Sequence, residues 1–235
     1  MGISLGIFNC KIDSKQNEFK TPIQLTLGGF PRNTQFTFRL INKDYHQGFS
    51  LWEIEQERKV DEVILVAFNN EGKTEYKRIS EYIIPETLKA YYLPDEILLI
   101  EGSTIKRRYS YKLIKGNFGN SISISEPVVN ITELIKHVEN VEKARIQRQS
   151  TSADKILLIG GSVAEDIIFD QLLEEGGQLK SVRISFLYGD TLHRLNISEN
   201  GSLYLIGNYE SVNIQLEVIK VFYEDYLKLN KLINY

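Results

Sequence analysis

The sequence predicts an α+β protein: an N-terminal all-β, sandwich- or barrel-like module followed by a small α/β module of βαβββα order. Three observations predict it. Up to residue 128, short runs of β-branched and aromatic residues are punctuated by Gly, Pro and Asn. Beyond residue 154, apolar residues switch between period two and helical spacing. The length of 235 residues suits one or two domains, and 42% hydrophobic with 25% charged residues are ordinary globular values. The expected division is a β-rich module over 1–128, a helix and linker over 129–153, and an α/β module over 154–235.

In the first module the candidate strands are 4–10, 23–27, 35–41, 51–56, 62–68, 97–100 and 109–114, with turn chemistry such as Pro31-Arg32-Asn33 and Asn70-Glu71-Gly72 between them. About seven short strands point to a sandwich or barrel. Pro85 suits the first turn of a short helix over 85–92. Asn130 stands three residues before Glu133, the spacing of a helix N-cap and its reciprocal partner, and Ile131, Leu134, Ile135, Val138 and Val141 follow as a helical stripe. The basic, polar tract 143–152 then reads as a linker.

In the last module 155–159 is a short apolar strand. Gly160-Gly161-Ser162 turns into a helix, with Ser162 as N-cap and Glu165 as its capping partner, and Gly176-Gly177 ends it. Val182, Ile184 and Phe186 alternate with Arg183 and Ser185, the pattern of a half-buried strand. Turn signals at 188–191 and 199–202 extend this into a three-strand meander ending at 206. A long helix over about 210–232 closes the chain.

Composition narrows the chemistry. The single cysteine, Cys10, excludes an intrachain disulfide and any multi-cysteine metal site. The three histidines, His46, His137 and His193, never share a helical turn, so neither metal nor cofactor is expected. No apolar run approaches the ~20 residues of a membrane helix, and no secretory leader is visible, which makes a cytoplasmic location the expectation. A net charge of −3 argues against a chain that binds nucleic acid over its whole surface. Residues 129–235 are the more acidic part.

No catalytic set is legible. Glu53, Glu55 and Glu57 alternate along one strand, but their expected partners are the bases of 106–112 rather than a substrate. The leading functional expectation is a soluble, non-catalytic interaction subunit of a larger assembly, gripping a protein partner or a second copy through Phe222, Tyr223, Tyr226 and Leu229. A helix of ~23 residues is ~34 Å long, more than a small sheet needs to cover it. One alternative is a nucleic-acid-binding accessory protein using a basic strand with Lys106, Arg108, Lys112 and Lys115. The other is an enzyme acting on a nucleotide or phosphoester, its phosphate held by Gly160, Gly161 and Ser162 at a helix N-terminus.

Overall fold

The computed structural model describes residues 3–13, 16–21, 35–60, 64–70, 73–79, 82–148 and 155–234. The expected strand 23–27 lies outside them. In chain order the elements are β1 (Ser4–Ile12), β2 (Glu18–Lys20), β3 (Phe36–His46), β4 (Phe49–Val60), β5 (Ile64–Asn70), β6 (Lys73–Ile79), β7 (Tyr82–Leu93), β8 (Ile97–Glu101) and helix α1 (Thr104–Phe118). There follow β9 (Ile122–Ser125), β10 (Val128–Val129), a single turn α2 (Ile131–Leu134), β11 (Asn140–Gln147), β12 (Lys155–Ile159), α3 (Ile167–Glu174), β13 (Gln178–Tyr188), β14 (Thr191–Ser198), β15 (Ser202–Ile206), α4 (Val212–Val221) and β16 (Ile233–Asn234).

The chain is sheet-rich with a few helices. Twelve strands form one antiparallel sheet in the order β12-β11-β13-β14-β15-β1-β8-β7-β4-β3-β2, with β9 beside the end of β1. β5 and β6 form a separate two-stranded ribbon, as do β10 and β16. Among the described residues the N-terminal strands do not close on themselves. β1 joins the two halves, pairing with β8 on one side and with β15 on the other.

Both faces of β1 are covered, which explains its nearly continuous buried run. Leu5 and Ile7 belong to one core, with Ile184, Phe186, Leu195 and Leu205 of the C-terminal strands. α2, α3 and α4 all pack into that core through Leu134, Phe169, Leu216 and Ile219. Phe8, Cys10 and Ile12 point the other way, into a second core with Phe38, Trp52, Ile54 and Leu98, closed by Ile114 of α1. No helix among the described residues is long and apolar enough to cross a membrane.

Five local expectations are corrected. Residues 109–114 are helical, within α1. Lys106, Arg107, Arg108, Lys112, Leu113 and Lys115 are straight-chain helix formers, and Arg107, Ser110 and Ile114 turn one helical face inward. Residues 85–92 form part of β7, not a helix. β8 reaches only Ala90–Leu93 of β7, so Pro85 sits where one side of the strand is an edge and its missing N–H is harmless.

The helix expected after Asn130 stops after one turn, although Asn130 does cap it by accepting from the Glu133 N–H at 3.1 Å. The expected linker begins inside β11, a strand paired on both sides. Its alternation, Lys143, Arg145 and Gln147 against Ala144 and Ile146, was masked by the extra residue Glu142, where the ladder shifts register. Finally, Ser162 makes no side-chain cap. A short 3-10 turn, Val163–Glu165, intervenes, and α3 is capped by Asp166, which accepts from Ile168 N–H at 2.8 Å.

Candidate functional site

The last helix continues past α4 as a π-helical stretch, Phe222–Lys228, in which Leu229 N–H reaches back to Glu224 O at 3.0 Å. The wider turn rotates the following residues. Phe222, Tyr223 and Leu227 take the core positions, and all three are fully buried. Tyr226 is half-buried; its hydroxyl donates to Leu187 O at 3.3 Å and its ring meets Phe186 edge-on. Only Leu229 projects, at 75% exposure. The expected aromatic docking stripe is therefore mostly intramolecular, because the π turn changes which residues face inward.

The Gly160-Gly161-Ser162 loop is tied to β11: Gly160 N–H donates to Glu142 O at 3.0 Å, and Asn140 Nδ2 donates to Gly161 O. Glu165, Asp166 and Asp170 crowd the start of α3, an unfavourable setting for a phosphate.

The bases of α1 have separate fates. Lys106 lies 3.3 Å from Glu86, Arg108 Nε lies 3.9 Å from Glu126, and Lys115 Nζ donates to Tyr111 OH at 3.1 Å. On a helix, Arg108, Lys112 and Lys115 share the outer face while Lys106 turns inward. Burial raises the Glu86 carboxyl pKa, but bonds from Arg58, Gln56 and Lys106 outweigh it and hold the group below its ordinary value. Glu53 and Glu55 pair with Arg39 of the neighbouring strand, not with α1.

Arg107, only 3% exposed, lies over β1 and donates to the hydroxyls of Ser4, Thr104 and Ser202 at 3.1, 3.1 and 2.8 Å. Gly6 makes room: a Cβ there would stand 3.0 Å from Arg107 Cδ. Burial, with Arg108 nearby, lowers the Arg107 pKa to about 10, so it stays charged at neutral pH.

Two further places bear on small ligands. A cavity of about 960 Å³ opens between the end of β1, the β3–β4 hairpin and the loop after α1. Its cations Lys11 and Lys43 are matched by Asp13, Asp44 and Asp95, and the Tyr92 hydroxyl is engaged by the N–H groups of Ile12 and Asp95. Among the described residues no three His, Cys, Asp or Glu side chains converge as a metal site. His193 is buried against Tyr209, its Nδ1 3.0 Å from the phenol oxygen.

One large surface is left. α1 covers the Gly6 side of the sheet over the N-terminal strands, while α2, α3 and α4 all occupy the opposite side. Over β11–β14 the Gly6 side meets no helix among the described residues, and α1 reaches β15 through Arg107 at Ser202. Register identifies what lies there. Ile159, Lys143, Arg183, Asn196, Tyr204 and Ser4 are successive partners across six strands and share this face. The adjoining rows add Leu157, Arg145, Ser181 and Ser198 on one side and Ser185 and Arg194 on the other. Lys155, opposite Gln147, completes the set.

Five cations thus share the face: Lys143, Arg145, Lys155, Arg183 and Arg194. One carboxylate, Glu142, stands with them, and it is engaged by Arg194 at 2.9 Å and by the Ser185 hydroxyl at 2.9 Å. Arg183 Nε donates to Asn196 Oδ1 at 3.1 Å; Lys143, Arg145 and Lys155 form no ion pair with a described residue. Sequence reasoning missed all five. The signal was present in the alternation of Arg183 with Val182 and Ile184 and of Lys143 and Arg145 with Ala144 and Ile146, but nothing local told that the two strands are neighbours.

Neither a scan against protein-family models nor a search of the curated proteins returns a match for this chain.

Proposed function

We propose that the protein is an interaction module whose working surface is the open face of β11–β15, and that this face binds a polyanion. The single observation that carries the reading is a fault in folding terms. Lys143 and Arg183 stand directly opposite each other on neighbouring strands, with no described carboxylate between them. Like charges in that position destabilise a sheet, and local rules are broken where function needs it. A bound anion removes the repulsion. The chain's net charge of −3 works against polyanion attraction at long range. Within a Debye length of ~8–10 Å, however, the local cations dominate.

In this reading residues 1–128 carry the helix that closes their own sheet face, while 154–235 together with β11 of the expected 129–153 linker present a bare one. The buried free thiol of Cys10 agrees with work in the reducing cytoplasm. The test is retention on heparin at low salt. The wild type should bind despite its acidic pI, and Arg145→Glu with Arg183→Glu should elute at clearly lower salt while keeping its circular dichroism spectrum. Flow-through of the folded wild type would sink the proposal.

A further inference from the structure

We infer that the polyanion is a single-stranded nucleic acid laid diagonally across the sheet, an inference that rests on the reading above. Register aligns the cations. Lys155 on β12 faces Gln147; Arg145, two residues along, is on β11; Arg183 is on β13, two residues beyond the partner of Arg145; and Arg194 is on β14, opposite Ser185, two residues further again. Each step crosses one strand and advances two residues, so the Cα positions lie about 8 Å apart along a straight diagonal. Lys143 flanks the line beside Arg183. Long Lys and Arg side chains on such a line can follow the phosphates of one extended strand.

The two flanks of the diagonal differ. On one side lie Leu157 and Ile159, and further along the cross-strand pair Leu187 and Leu192, all exposed. On the other lie Ser181, Asn196, Ser198 and the ring of Tyr204. A duplex shows a protein mainly phosphate and would leave the aliphatic flank in water. A single strand offers phosphates to the cations and unstacked bases to the apolar side chains and Tyr204. The outer face of α1, with Arg108, Lys112 and Lys115, lies on the same side of the sheet and extends its positive potential.

Fluorescence anisotropy tests this with labelled oligouridine, labelled oligodeoxythymidine and a labelled mixed-sequence duplex, with polyglutamate as competitor. The expected result is at least one single strand bound about tenfold tighter than the duplex. Arg145→Glu with Arg183→Glu should lower the single-strand salt slope by about 1.4 or more, since each phosphate contact contributes ~0.7. Ile159→Ser with Leu192→Ser, both at exposed sites, should weaken single-strand binding several-fold while heparin retention stays unchanged. Equal or tighter binding of the duplex, or indifference to the aliphatic substitutions, overturns the single-strand inference and leaves the polyanion reading standing. Full displacement by polyglutamate at matched charge also overturns it, in favour of an acidic protein partner. Loss of heparin retention by the wild type removes both.

Discussion

The two halves of one sheet surface treat charge in opposite ways. Under α1, the two buried charges among the described residues have partners: Glu86 has Arg58, Lys106 and Gln56, and Arg107 has three hydroxyls. Over β11–β15, on the same side of the sheet, four of five cations meet no described carboxylate, and two of them face each other. Burial explains the first pattern, because a desolvated charge without partners would cost several kcal/mol. Exposure permits the second but does not require it. Partnered charge on the covered half is thus a condition of folding, whereas the charge without a carboxylate on the open half is what the proposed polyanion contact would use.

That contrast can be broken most forcefully in the covered half. Glu86→Ala strands Arg58 and Lys106 beside the second core and should cost about 3 kcal/mol in urea unfolding, with heparin retention of the folded protein intact. A cost below about 1 kcal/mol would mean that the covered network is no more than a solvated ion cluster.

A smaller effect comes from adjacent residues on β14 that face opposite sides. His193 is buried and burial lowers its pKa, whereas Arg194 is exposed and charged. The unfolded chain protonates this histidine more readily than the folded one. Its contribution is present above the unfolded pKa of ~6.5 and is lost as pH falls through that value and below. Urea midpoints measured between pH 5 and 8 should show this acid loss, and His193→Gln should flatten it. An unchanged pH profile in the variant would show that the loss originates elsewhere.

The smallest expected effect has the opposite sign. Arg183→Glu places a carboxylate opposite Lys143 and should raise stability by a few tenths of a kcal/mol while weakening heparin binding. A destabilised variant would argue that Arg183 is structural and would blur the distinction between the halves.

Several parts of this fold are legible residue by residue. Val182, Ile184 and Phe186 alternate with Arg183 and Ser185, and β13 buries the former and leaves Arg183 partly exposed, although Ser185 is buried as well. Asn130 caps a helical turn, and α4 is where the last apolar stripe places it. Other parts are not. The alternation of aromatic and basic residues over 106–112 suits a strand as well as a helix, and only Ile114, Ser110 and Arg107 packing onto β1 and β4 decides for the helix. The apolar stripe after Asn130 was real, but Val141 serves a strand, because β13 offers it a ladder that an isolated segment does not have.

By itself, then, the sequence determined the local choices that depend on neighbours a few residues away: caps, turns, alternation along a strand, and the absence of cysteine-rich chemistry. The tertiary structure alone decided which side chains became a surface. Arg145 and Arg183 are unremarkable in their own strands. They form a line only because β11 and β13 pair across more than thirty residues of chain, with Lys143 set opposite Arg183 and Arg145 opposite Ser181. A one-residue slip would turn every one of them to the opposite face.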